Sequence, residues 1–122
     1  MKYLCLIYYD ERKLDALSPP EFDALVSESV AYDETMRESG HYVTSNALQP
    51  AQTAKSLRPR DGRVSVTDGP FAETKEQLGG FILIEAKDLD DAIRVASNIP
   101  PARLGCVEVR PVRDLSGWGG PA

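Results

Sequence analysis

Apolar positions along this chain follow a two-residue period in some stretches and a helical period in others. Lys2 to Tyr9 is apolar on both alternating faces, with Tyr3, Cys5, Ile7 and Tyr9 on one and Leu4, Leu6 and Tyr8 on the other; Asp10-Glu11-Arg12 ends it. Such a run predicts a strand covered on both sides. Ser18-Pro19-Pro20-Glu21 then reads as a helix start, because Ser18 can cap, proline suits the first turn and Glu21 completes a capping box. Phe22, Leu25, Val26, Ser29, Asp33 and Met36 follow at helical spacing, the face weakening at Asp33, and Gly40 supplies a left-handed stop. His41 to Leu48 reads as a strand. Asp61-Gly62, between the runs Thr53 to Leu57 and Arg63 to Thr67, predicts a β-hairpin. Asp68-Gly69-Pro70 breaks the chain, and a polar stretch leads to Gly79-Gly80, read as a tight turn or a close backbone approach. Phe81 to Ala86 is a second strand apolar on both faces. Asp88 caps a helix carrying Leu89, Ala92, Ile93, Val95, Ala96 and Ile99, Pro100-Pro101 stops it, and Cys106 to Arg110 is a last strand.

This order predicts an α+β fold, a ferredoxin-like βαββαβ with an inserted β-hairpin. Residues 1–115 form one domain and 116–122 a flexible tail. In that topology both helices cover one face of a four-stranded antiparallel sheet. Yet two strands carry apolar side chains for the other face as well. A bare apolar face calls for a partner, and a second copy of the chain is the simplest one, so a homodimer packed sheet to sheet is expected, with a cleft near its interface.

Composition narrows the partners. The 122 residues hold 14 basic and 19 acidic side chains, a net charge of −5, without a basic run, which argues against nucleic acid or an anionic membrane as partner. The apolar stretches are too short for a membrane-spanning helix, and the opening run is too short and too aromatic for a signal peptide. The expected location is cytoplasmic. Two cysteines and one histidine are too few for a disulfide framework or a histidine-rich metal site. Cys5 and Cys106, on neighbouring strands, read as core thiols.

Candidate chemistry concentrates in Asp68 to Gly80, DGPFAETKEQLGG, where Asp68, Glu73, Lys75 and Glu76 sit between turn signals and a buried strand. A charged loop anchored at both ends is a common place for function. The sole histidine, His41, is a candidate general acid or base, the usual use of an imidazole, with Asp68 to orient it or act alone. Glu73 and Lys75 are candidate substrate contacts. Arg58, grouped with Arg60 and Arg63 at the hairpin, is a candidate clamp for an anionic substrate. The tyrosines read as packing or as an aromatic pocket lining, and the acidic positions Glu28, Asp33, Glu34 and Glu38 as a solvent-facing helix surface. The spacing of carboxylates and histidine indicates no metal site, and no phosphate loop, nucleophile elbow or other cofactor motif is present.

DGPFAETKEQLGGF, together with IEAKDLDDAIRVASNIPPARLGCVEVRPV, MKYLCLIYYDE and SGHYVTSNALQP, resembles the DGPF-type branch of the YCII-related family over nearly the whole chain. The resemblance implies a ferredoxin-like subunit that forms a dimeric α+β barrel. It also implies two functional contexts: the breakdown of chlorinated aromatics through a histidine–aspartate pair, and a link to extracytoplasmic-function sigma factors. The histidine of that pair lies in the first helix of short YCII proteins; here that helix has Glu28, Tyr32 and Asp33 and no histidine. The resulting expectation is a small cofactor-independent enzyme doing acid–base chemistry, isomerisation or elimination, on a small anionic or aromatic molecule in a dimer cleft. The alternative is a non-catalytic ligand-binding or regulatory module linked to sigma-factor-dependent transcription.

Overall fold

The computed structural model describes residues 1–119. Nine elements carry the fold: β1 (Lys2–Tyr9), α1 (Glu11–Asp15), α2 (Pro19–Glu38), β2 (Tyr42–Ala47), β3 (Lys55–Arg60), β4 (Arg63–Asp68), β5 (Gln77–Glu85), α3 (Leu89–Ala96) and β6 (Gly105–Pro111). One antiparallel sheet runs β2-β5-β1-β6, and β3 with β4 forms a separate two-stranded sheet. The two strands that are apolar on both faces, β1 and β5, are therefore the central pair.

Register assigns each side chain to a face. Tyr3, Cys5 and Ile7 of β1 and Ile82 and Ile84 of β5 are buried with Met36, Ala92, Val95, Ala96 and Ile99, so this face carries the helices. On the other face Leu4 stands opposite Leu83 and Leu6 opposite Phe81, all four only partly buried, with Glu108 and Arg110 of β6 alongside. The small residues Ala92 and Ala96 let α3 lie close to the sheet. α2 lies less closely: only Leu25 and Met36 of its twenty residues are buried.

The helix starts follow the local chemistry the sequence contains. Ser18 and Glu21 exchange the two hydrogen bonds of a capping box, and the Asp88 carboxylate accepts from the Asp91 N–H at 2.8 Å. Gly40 ends α2 at φ +82°, and Asp61-Gly62 turns the hairpin with both φ angles positive. Three expectations need correcting. Asp10 to Arg12 does more than end β1, because Asp10 caps the short helix α1. Gly79-Gly80 is not a turn but lies inside β5, which begins at Gln77. The last helix stops at Ala96, and Pro100–Leu104 forms a 3₁₀ turn. Of the tail expected over 116–122, the Trp118 N–H bonds to the Leu115 carbonyl at 3.0 Å, while 120–122 lie outside the described residues.

Candidate functional site

The signature loop folds on itself and against α1. Asp68, Glu73 and Lys75 come together there, around an open cleft of about 730 Å³ shared with Asp10, Glu11 and Arg12. Three of the cleft's carboxylates, Asp10, Glu11 and Asp68, are engaged within the chain. Asp10 caps α1 through the Arg12 N–H and pairs with that guanidinium at 3.0–3.1 Å, which holds its carboxyl below the usual range. Glu11 accepts from the Ala51 N–H at 3.1 Å. Asp68, with its side chain 85% exposed, pairs with Lys55 across the base of the hairpin at 2.5 Å. Gln77 donates to the carbonyls of Ala72 and Thr74 and so ties the loop to the start of β5. Arg58 is remote from this cleft and lies with Arg60 and Arg63 around the hairpin tip.

His41 is paired with a different carboxylate from the one the sequence offered. Its Nε2 is 3.0 Å from Asp91 Oδ2 at the start of α3, and its Nδ1 is 2.7 Å from the Ser39 hydroxyl at the end of α2. Asp91 also accepts from Arg94 at 2.7 Å and from the Lys87 N–H at 3.2 Å. Arg94 first, then His41, then the Lys87 amide hold the Asp91 carboxyl far below the ordinary carboxylate range. His41 and Asp91 are mostly buried, with side-chain exposures of 12% and 9%. The pair joins the end of α2, the approach to β2 and the start of α3.

A cavity of about 370 Å³ lies between α2 and the helix-bearing side of the sheet. Its wall is mostly apolar and aromatic, with Tyr9, Phe22, Leu25, Tyr32 and Ile82 prominent, and Asp33 supplies a carboxyl. The same helical face read from the sequence, Phe22 through Asp33, lines this space. Asp33 is thus not on a solvent-facing acidic surface but partly buried at the cavity. Burial pushes its carboxyl up from the ordinary value, offset in part by Arg37. Its neighbours have partners of their own: the Tyr32 hydroxyl donates to the Val95 carbonyl at 2.5 Å, Ser29 donates to the Leu25 carbonyl at 2.8 Å, and Ser45 shares a hydrogen bond with Tyr42 at 2.7 Å. Arg37 pairs with Glu34 and sits 4.3 Å over the Tyr42 ring. Among the described residues the Asp33 carboxyl makes no ion pair and accepts no hydrogen bond that lowers its pKa.

Two glycines of β5 line this cavity. A Cβ on Gly79 would stand 2.2 Å from the Tyr9 ring, and one on Gly80 would stand 2.9 Å from the Asn46 carbonyl. The ring of Tyr9 therefore occupies the space that a side chain at 79 would fill, and it forms part of the cavity wall. Burial, then Glu11 and Asp15, push the Tyr9 hydroxyl up. The sequence carries a signal for this site in two places: a carboxylate in the apolar series of α2, and a glycine pair preceding an apolar run.

Cys5 is buried and its thiol is pushed up to about 11 by burial, while Cys106 is exposed and so is not a core thiol. Among the described residues no three His, Cys, Asp or Glu side chains come together as a metal site, and no helix is long and apolar enough to cross a membrane.

The chain is thus an α+β fold with a cavity under α2 and a charged loop before β5. Residues 1–116 match the YCII-related domain, and the chain belongs to that family. It is similar to an uncharacterised protein of Rhizobium meliloti (strain 1021), 39% identical over 114 residues and covering 92% of each chain.

Proposed function

We propose that this YCII-related chain is a ferredoxin-like subunit of a homodimer, of the DGPF-type branch. Its proposed role is cofactor-independent acid–base chemistry on a small, largely apolar molecule bound between α2 and the sheet. The observation that carries this reading is Asp33: a partly buried carboxyl, raised in pKa and free of ion pairs among the described residues, on the wall of an apolar cavity. A carboxyl whose pKa burial raises, on the wall of an apolar cavity, is a candidate for proton transfer. In this reading Asp33 takes the role that the sequence gave to His41 and Asp68. His41 positions α3 through Asp91, and Asp68 anchors the hairpin through Lys55.

The cavity wall bears on the substrate class. Among the described residues it has no lysine or arginine, so it suits an uncharged aromatic or alicyclic molecule better than an anion. The volume of about 370 Å³ is within the usual range for small-molecule sites. Proton removal next to a carbonyl or phenol, with return at another carbon or loss of a leaving group, needs one such carboxyl and exclusion of water.

Support for the dimer comes from the sheet. Leu4, Leu6, Phe81 and Leu83 form a continuous apolar patch on the face without helices, and a second copy would cover it. The regulatory alternative uses the same cavity without turnover; it is favoured by the pairing of the signature carboxylate Asp68 with Lys55 of its own chain.

The test is proton exchange. Ligands found by thermal shift are incubated in D₂O with the wild-type chain and with Asp33→Asn. Deuterium enters the ligand with the wild-type chain and not with the variant if the enzymatic reading holds. Binding without exchange by either chain supports the regulatory alternative.

A further inference from the structure

The hairpin β3–β4 has two unlike faces, both in solvent. Leu57 stands opposite Val66 and Pro59 opposite Val64 on one face, with Leu57, Val64 and Val66 exposed at 57–61%. Arg58, Arg60 and Arg63 occupy the other face. The hairpin belongs to neither edge of the main sheet. It is fixed to the body at its base, by the Lys55–Asp68 pair and by the Ser56 hydroxyl donating to the Gly69 carbonyl at 2.9 Å. A two-stranded ribbon with a fully wet apolar face is marginal by itself.

A matching surface lies on α2. Phe22, Val26 and Val30 recur every fourth residue, are 43–57% exposed, and line the outer part of the cavity. α2 carries six carboxylates and one arginine. The hairpin, Lys55 to Asp68, carries four basic and two acidic side chains on a chain of net charge −5, so the rest of the chain carries −7. The two apolar faces match, the arginines on the hairpin's outer face leave the arm net positive over a net-negative helix, and two copies can satisfy both at once by reciprocal exchange.

We propose that the β3–β4 hairpin of one copy lies over α2 of the other, seating Leu57, Val64 and Val66 on Phe22, Val26 and Val30. This arm then closes the outer side of the cavity, so that the site is complete only in the dimer. The inference rests on the homodimer and the cavity of the preceding reading, and its test separates the arm from the homodimer.

Two chains of different mass are prepared with Cys106→Ser. Buried Cys5, with its thiol pushed up to about 11, can stay in both. One chain carries Val64→Cys and the other Val26→Cys; a control pair replaces Val26→Cys with Lys87→Cys. The chains are mixed, left to exchange subunits, and treated with a short bismaleimide while light scattering reports the mass. The expected result is a dimer in which the 64–26 cross-link between copies exceeds the 64–87 control by about tenfold or more, as a fixed proximity requires. A dimer with no excess over the control overturns the arm and leaves the sheet-to-sheet dimer standing. A monomer at every concentration overturns both.

Discussion

The ring of Tyr9 lies over Gly79 so closely that a Cβ at position 79 would stand 2.2 Å from its Cε2 and Cζ. This contact spans the paired strands β1 and β5 and sets one wall of the cavity under α2. Gly79→Ala is expected to expel the ring, at an overpacking cost of about 1–3 kcal/mol. Urea unfolding measures that loss, and ligands of the wild-type chain should no longer raise the melting temperature of the variant. Unchanged stability and unchanged ligand response would show that Tyr9 can move aside without consequence for the site.

Asp33 gives a prediction in pH. Its folded-state pKa lies above its unfolded value because burial penalises the charge. The neutral form is therefore the one the fold favours. Its contribution is present in full below the unfolded pKa, near 3.9, and is lost as pH rises through the folded value. Asp33→Asn removes that penalty. The variant should be more stable than the wild type at pH 7 and equal to it near pH 3, a difference that denaturant titrations at the two values will read. It should also lose exchange activity. A gain in stability with a loss of function is the usual signature of a group held at a cost to the fold.

Asp91 shows the opposite sign. Arg94, His41 and the Lys87 N–H hold its carboxyl below the ordinary range, so its contribution is present above the unfolded pKa and lost as pH falls through the folded one. Asp91→Asn should be less stable than the wild type at pH 7, and the gap should narrow steadily below about pH 4. His41→Ala should lower stability at pH 7 in the same assay while leaving ligand affinity in the α2 cavity within about twofold, because its partners lie at the α2–α3 junction. A selective loss of turnover at unchanged stability would return His41 to the chemistry.

The open sheet face yields a test of assembly. Leu6 lies between Phe81 and Glu108 in register. Leu6→Glu would bury an uncompensated carboxylate beside an existing one. The expected cost to the dimer is about 3–5 kcal/mol, a loss of roughly 100-fold or more in affinity. Sedimentation equilibrium measures it. Cys106 provides a second readout, since it faces the same side as Tyr8 in register with it. Its alkylation should slow as wild-type concentration rises and not as that of Leu6→Glu rises.

Much of this architecture was legible in the sequence because it is written in local chemistry. The capping box at Ser18 and Glu21, the stop at Gly40 and the hairpin turn at Asp61-Gly62 each depend on neighbours within a few residues. The two doubly apolar strands, which read as covered on both sides, are the central pair of the sheet. The site was less legible. The Tyr9–Gly79 contact and the His41–Asp91 pair join positions about seventy and fifty residues apart. Periodicity does not show which carboxylate a lone histidine will meet. Asp33 was placed in the right helical series, but its polarity suggested solvent, because the sequence does not reveal that α2 stands off from the sheet. The signature loop drew attention by its charge. In three dimensions its Asp68 pairs with Lys55 across the base of the hairpin, while the neighbouring Asp10 and Glu11 are held by Arg12 and the Ala51 amide.

The most direct measurement is an amide-by-amide titration of the isotopically labelled chain with the first ligand that raises its melting temperature. The account predicts that the resonances of Tyr9, Ser29, Asp33, Ser45 and Gly80, around the cavity under α2, shift together and saturate at one dissociation constant. It further predicts that Asp33→Asn alters that binding. Shifts centred on Asp68, Glu73 and Lys75, with the amides around Asp33 unmoved, would contradict it and put the function in the signature loop.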